Sequence, residues 1–330
     1  MEHRTLGRTG REVSVVGLGT WQLGADWGDV SEADATAVLE ASAESGVTFF
    51  DTADVYGDGR SEQLVGRFVA SHPGAGFTVA TKMGRRMDQV PANYVEPHFR
   101  SWLDRSRKNL GVDTIDLVQL HCPPSEVIDD DATYDVLDRL VEEGVIAAYG
   151  VSVETAAQAL SAIARPGVAS VQIILNAFRM KPLDEVLPAA EAAGVGIIAR
   201  VPLASGLLSG KYDLDTTFAE DDHRTYNRDG SAFDVGETFS GVDYATGVEA
   251  AQEFSALVRS SGLDVTPAQA AIAWIWQQSG VSTVIPGARN VGQAQANAAA
   301  GLVGELPTAF RHGVADLYDR RIREQVHARW

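Results

Sequence analysis

Short apolar runs alternate along this chain with longer stretches in which apolar residues recur every third or fourth position. Val15 to Leu18, Val47 to Phe50, Phe77 to Thr81 and Ile115 to Leu120 read as strands, as do Ile146 to Val151, Val168 to Ile174, Gly196 to Ala199 and Gly280 to Ile285. A Ser31–Asp34 cap pattern starts a helix carrying Ala35, Val38, Leu39 and Ala43, and Gly46 ends it. Ser61 starts the next, with Leu64, Val65 and Phe68 on one face. The spacing further predicts helices through Val95, Phe99, Leu103 and Leu110, through Leu137, Leu140 and Val141, and near 154–164, 183–193, 246–260 and 267–278. Leu6 and Val13 flank Gly7-Arg8-Thr9-Gly10, a tight-turn composition that predicts an N-terminal hairpin able to plug one end of a barrel.

Eight strand–helix units, each too short to bury its own faces, predict an α/β chain closed into one (β/α)8 TIM-type barrel, a single domain over residues 1–330. The seventh unit breaks the rhythm with a polar, glycine-bearing loop from about Ser205 to Thr246. Compact domains rarely carry so long a loop without a use, so it reads either as a lid over a site or as a loosely ordered insertion.

The net charge of −18 argues against nucleic acid or an anionic membrane as partner, since either demands a basic face. An anionic ligand then needs a locally positive pocket. A single cysteine, Cys122, precludes an internal disulfide and points to a reducing cytoplasm. No stretch approaches a membrane span, and the first residues lack the basic-then-apolar pattern of an export signal, so the mature protein is expected to begin where the sequence does. The seven histidines form no His-x-x-x-His pair, and no metal site is expected. No Gly-x-Gly-x-x-Gly follows the first strand, and Gly206-Leu207-Leu208-Ser209-Gly210-Lys211 fails as a phosphate-binding loop on spacing and on Tyr212 after the lysine.

Asp51, Tyr56, Lys82 and His121 all sit where an apolar run gives way to a polar loop, so parallel strands of one barrel would gather them on one rim. Each has an ordinary structural use on its own. Lys82 stands out, because the chain has only four lysines among 27 Lys and Arg residues yet places one directly after a strand, where a shiftable amine does what guanidinium cannot. A phenol with pKa near 10 donates poorly unless a cation helps, and a carboxylate holds that cation in place, so the set reads as a proton-donating site. Strand alternation would turn Cys122 away from the site as a packing residue. Trp21 and Trp27, after the first strand, are candidates for an apolar substrate pocket or for packing beneath a loop.

Phe50-Asp51-Thr52-Ala53-Asp54-Val55-Tyr56-Gly57 with Ser61-Glu62 resembles the signature of the aldo-keto reductase superfamily. Ala80-Thr81-Lys82, Leu120-His121 and Ile285-Pro286-Gly287-Ala288-Arg289 with Gln293 and Asn297 are similar to its other motifs, over essentially the whole chain. The resemblance implies a barrel that binds NADP(H) at the C-terminal rim and reduces an aldehyde or ketone. Tyr56 is then the general acid, Lys82 lowers its pKa, Asp51 holds Lys82, and His121 orients the carbonyl. The family pattern sets Thr20, Trp21 and Asp51 against the cofactor and gives the nicotinamide carboxamide to Ser152 and Gln172, although Val153 replaces the asparagine that commonly follows the serine.

Where the family often brings an aromatic to the nicotinamide face, this chain has Arg200, followed by Val201 and Pro202. It is expected either to stack on the ring with its charge directed towards a phosphate or carboxylate, or to shift its side chain aside. Leu203, Ser205, Gly206 and Lys211 are assigned to the pyrophosphate, and Gly287, Arg289, Gln293 and Asn297 to the opening of the final helix, with Arg289 at the 2′-phosphate and Arg224 a further candidate. NADPH is expected in preference to NADH. Two other classes fit parts of the pattern: a nicotinamide-binding regulatory subunit resembling the β subunits of potassium channels, and an aldolase or isomerase with Lys82 as Schiff-base amine. The natural carbonyl substrate and the oligomeric state stay open.

Overall fold

The computed structural model describes residues 1–24 and 30–330; Trp27 lies outside the described residues. A hairpin of β1 (His3–Thr5) and β2 (Glu12–Ser14) precedes eight parallel strands: β3 (Leu18–Gly19), β4 (Phe49–Asp51), β5 (Thr78–Met83), β6 (Leu117–His121), β7 (Tyr149–Ser152), β8 (Val168–Ile174), β9 (Gly196–Arg200) and β10 (Val281–Val284). They pair in chain order, and parallel bridges from Val16 to Val284 and from Gly19 to Gly287 bring the two edges together and close the cylinder.

Outside the barrel lie α1 (Glu32–Glu44), α2 (Arg60–Ala70), α3 (Glu96–Leu110), α4 (Ser125–Asp129), α5 (Asp131–Glu142), α6 (Ala156–Ile163) and α7 (Val186–Ala193). They are followed by α8 (His223–Tyr226), α9 (Tyr244–Ser260), α10 (Pro267–Trp276), α11 (Val291–Ala299), α12 (Thr308–Arg321) and α13 (Arg323–Val326). Local chemistry sets several boundaries. The Ser31 side chain caps α1 by accepting from Asp34 N, and α6 and α10 open on capping boxes, Thr155–Gln158 and Thr266–Gln269. Two expectations shift. Ser61 does not cap α2: the helix begins one residue earlier, and the buried Ser61 hydroxyl instead joins Thr20 and Thr52. The helix opened by Gln293 is not the last, because α12 and α13 follow and α12 packs on α9.

The period of two along each strand determines what lies inside. Phe49, Ala80, Leu117 and Ile198 point into the barrel and form one apolar layer with Leu6 and Val13 of the hairpin and with Ile285, so the hairpin does plug that end. Two residues further along the same strands the inward positions are Asp51, Lys82, Gln119 and Arg200, and all four are buried. The intervening residues face the helices, as Phe50 does where it meets Phe68 and Phe77. A polar layer therefore sits above an apolar floor at the C-terminal ends of the strands. Among the described residues no helix is long and apolar enough to cross a membrane.

Candidate active site

Asp51 ends β4 and Lys82 lies near the end of the neighbouring β5. Lys82 Nζ stands 2.5 Å from Asp51 Oδ1, 2.8 Å from the Thr52 carbonyl oxygen and 3.3 Å from Tyr56 Oη. Tyr56 reaches that position through the turn after β4, where Gly57 has φ +59° and a Cβ there would lie 2.2 Å from the Gly24 carbonyl oxygen; only glycine fits. Asp51 is held from its other side, Oδ2 accepting from Gln119 Nε2 at 3.0 Å and from Gln172 Nε2 at 2.8 Å. The sequence reading missed Gln119. Its inward register, two positions before His121, was the available signal.

Burial resists ionisation of Tyr56 and pushes its pKa above the usual phenol value, while Lys82 pulls in the opposite direction. Lys82 acts in the expected direction, but burial outweighs it, and the phenol keeps its proton. Burial also opposes the charge on Lys82, but Asp51 and Tyr56 outweigh it and leave the ammonium pKa raised. His121 crosses the Tyr56 ring edge-on at 6.0 Å. Burial, with Arg85, Lys82 and Arg200 nearby, drives its pKa well below 6.5, so the imidazole is neutral at physiological pH.

Cys122 contradicts the alternation argument. It takes a left-handed turn, φ +51°, that bends the chain back so that its thiol lines the cleft beside Ser152, 3.5 Å from Oγ. Burial raises this thiol to about 12. Its sulfur and the carboxylates of Glu154 and Glu237 lie within 4.8 Å of one another. Both carboxylates are already paired with Arg200, and the thiol keeps its proton, so the trio offers little charge to a divalent cation.

Arg200 directs its charge to carboxylates, which is one part of what was expected of it. Its guanidinium turns to carboxylates, pairing with Glu154 at 2.9 Å and with Glu237, and it donates to the Val153 carbonyl oxygen at 3.1 Å. Neither glutamate was marked by a sequence motif, since Glu237 arrives from the long segment after β9. Gln172 lines the cleft with its amide nitrogen bound to Asp51 and Gln119, which leaves Oε1 as the atom that can accept from a carboxamide. Thr20 lines the cleft too, its hydroxyl donating to the Asp51 carbonyl oxygen at 2.9 Å.

The long segment folds over the rim as a lid. Asn227, Thr238, Phe239 and Ser240 are buried, and the segment brings His223 and Phe233 against Trp21 at ring distances of 5.3 and 6.0 Å. The Ser205 hydroxyl donates to the Glu237 carbonyl oxygen at 3.0 Å and accepts from Phe239 N at 3.0 Å, so this side chain ties the lid down. The N–H of Gly206 is bound to the Leu203 carbonyl oxygen at 2.9 Å.

Beneath the lid runs a cleft of about 740 Å³ from Tyr56, His121 and Ser152, past Val201, Pro202 and Leu203, to a cationic end formed by Lys211, Arg224 and Arg289. At that end Arg224 bonds Asp222 and Tyr212, and Gln293 Oε1 accepts from Arg289 N at 2.8 Å. Asn297 Nδ2 donates to the Gly287 carbonyl oxygen at 3.1 Å, which shapes the turn before α11. All the sequence-assigned residues but Lys82, which lies buried beneath Tyr56, line this one cleft, with Asp51, Tyr56 and His121 at one end and Lys211, Arg224 and Arg289 at the other.

Known proteins resemble this chain in sequence and fold. A family model described as Aldo/keto reductase family matches residues 15–316. An aldo-keto reductase of Bacillus subtilis is 29% identical over 301 residues, spanning 90% of this chain and 87% of the relative. The solved structure of a glycerol dehydrogenase from Gluconobacter oxydans superposes with a TM-score of 0.75 at 30% identity, covering 94% of this chain and 93% of the other. An aldo/keto reductase from Klebsiella pneumoniae, solved with NADP and acetate, shows the same fold at 21% identity, TM-score 0.70, over 96% and 95% of the two chains. The family match runs from ahead of β3 into α12 and takes in every strand of the barrel: the chain belongs to the aldo/keto reductase family and is an NAD(P)H-dependent oxidoreductase.

Proposed function

We propose that this protein reduces an aldehyde or ketone to the alcohol, with NADPH as hydride source and Tyr56 as general acid. The observation that carries the reading is the chain of contacts Asp51–Lys82–Tyr56, in which the ammonium lies 2.5 Å from the carboxylate and 3.3 Å from the phenol oxygen. A nicotinamide held in the cleft would supply the hydride for the carbonyl carbon. Tyr56 donates its proton to the carbonyl oxygen as negative charge develops there, and Lys82 stabilises the phenolate left behind. Neutral His121 orients the carbonyl by a hydrogen bond, and the lid keeps water from the reacting atoms.

The cleft suits a dinucleotide, being long enough to reach from Tyr56 to Arg289 and positive at the far end, where a phosphate is favoured near the N-terminus of α11. We assign the 2′-phosphate to Arg289, with Lys211 and Arg224 near the same end, which favours NADPH over NADH. The Klebsiella relative, whose crystals contain NADP, supports the cofactor class.

The deciding experiment is Tyr56→Phe assayed over a panel of aldehydes and ketones. Carbonyl reduction should fall by about 10²- to 10⁴-fold while the NADPH dissociation constant changes less than about 3-fold. Turnover close to wild type would overturn the role of Tyr56.

A further inference from the structure

Beside the reaction centre a second cavity of about 460 Å³ opens, sharing Arg85, Cys122 and Phe233 with the main cleft. Arg85 comes from the loop after β5, Glu154 from just beyond β7, and Phe233 from the lid, so three separate elements build it. Phe233 lines both spaces and meets Trp21 edge-on at 6.0 Å on the side of the main cleft.

The polar groups here are unusually placed. Arg85 Nη2 and Glu154 Oε1 are 3.6 Å apart, attracted but beyond hydrogen-bond reach. Arg85 is anchored through Nε to the His121 carbonyl oxygen at 3.3 Å, and Glu154 is anchored through Oε2 to Arg200 at 2.9 Å. That leaves Glu154 Oε1 buried without a hydrogen bond among the described residues, and an unpaired buried acceptor is costly unless a ligand or water satisfies it.

Three kinds of tail could extend from a carbonyl held at Tyr56. An apolar tail would leave Glu154 Oε1 dry and unpaired. A charged tail meets a like charge whichever its sign, since Arg85 and Arg200 stand beside Glu154, Glu237 and Asp234. A hydroxyl is neutral and both accepts from a guanidinium and donates to a carboxylate through one oxygen, while its C–H face packs on an aromatic ring.

On the carbonyl-reductase reading above, we propose that this cavity is a tail subsite in which Arg85, Glu154 and Phe233 select carbonyl compounds bearing hydroxyls on the carbons next to the reacting one. A subsite built to bond a hydroxyl discriminates strongly against the analogue lacking it.

The test compares kcat/KM for glyceraldehyde against propanal, and for erythrose against butanal, in wild type, Arg85→Met and Phe233→Leu, with NADPH as reductant. The ratio within each pair should be about 100 in wild type and fall below about 10 in Arg85→Met, chiefly through a higher KM for the hydroxylated partner. Comparing the ratio between proteins cancels the intrinsic reactivity of the aldehydes, and if Arg85→Met does not fold, Phe233→Leu decides on the same criterion. A wild-type ratio near one, or a ratio preserved in the variants that fold, overturns the subsite while leaving the reductase reading intact. Failure of wild type to oxidise NADPH with any of the four aldehydes overturns the subsite, and failure across the wider panel of aldehydes and ketones overturns the reductase reading as well.

Discussion

Gln172, on β8, donates from its amide nitrogen to Oδ2 of Asp51, on β4 across the barrel, at 2.8 Å. Together with Gln119 it occupies the oxygen that Lys82 leaves free, so the carboxylate is fixed on both sides and the ammonium has one place to sit. Replacing Gln119 by Leu removes one of these donors without changing the shape much. We expect kcat for carbonyl reduction to fall about 10-fold with the NADPH dissociation constant within about 2-fold of wild type, as read by steady-state kinetics and fluorescence titration. An unchanged kcat would show that Asp51 needs no support from β6.

Lys82 and Asp51 are both almost wholly buried, so neither can lose its partner cheaply. Lys82→Met strands a buried carboxylate, and breaking a buried pair from one side costs about 3–5 kcal/mol. Urea denaturation should register that loss, while the double variant Lys82→Met/Asp51→Leu should recover much of the stability and none of the activity. A single variant as stable as wild type would contradict the argument that neither partner can lose the other cheaply.

Asp54 is fully buried, both of its carboxylate oxygens lack hydrogen bonds among the described residues, and burial together with Glu62 raises its pKa to about 7 against the pull of Arg86 and Arg105. The folded state therefore binds this proton more tightly than the unfolded one, whose value is near 3.8. The stability it contributes is fully present below pH 3.8 and is lost as pH rises to about 7, an effect of at most about 4 kcal/mol. Asp54→Asn removes this dependence, so its Tm should gain on that of wild type between pH 5 and pH 8. Parallel Tm curves for the two proteins over that range would contradict the argument.

His121 is neutral because burial and three nearby cations oppose its protonation. The pH profile of kcat/KM should therefore run flat through pH 6.5, the ordinary imidazole value, in wild type as in His121→Asn. An acid limb near that pH that disappears in His121→Asn would show instead that the imidazole titrates during turnover.

Trp330 holds the lid from below. Its indole N–H donates to Asp234 Oδ1 at 3.0 Å, and the Arg179 guanidinium stacks on its ring at 3.9 Å. The Asp234 segment leads directly to Glu237, the partner of Arg200. Trp330→Ala should expose residues 231–241 to limited proteolysis and raise substrate KM about 5- to 10-fold, whereas Trp330→Phe, which keeps the stack, should recover part of both. Equal protease resistance in Trp330→Ala and wild type would remove Trp330 from this role.

The strands, most helices and the hairpin plug were legible from periodicity alone, because inward and outward residues alternate with period two and helix faces recur with period 3.6. Asp51, Lys82 and His121 were legible for the same reason: a polar residue closing an apolar run of parallel strand has to lie at the rim. Helices α12 and α13 lie beyond the last family motif and follow no further strand, so the strand–helix alternation does not announce them.

The linear pattern was silent on contacts between distant segments. Glu237 reaches Arg200 only because the lid folds back across 37 positions, and Glu154 joins them from β7. Cys122 turns inward through a positive φ that no strand rule anticipates, and Gln172 is drawn to Asp51 across the barrel. Periodicity encodes which way a side chain faces, and so the amino-acid order was enough for the barrel and the contents of its rim. The pairing of charges depends on loop closure and on which buried group most needs a partner, and those balances exist only once the chain is folded.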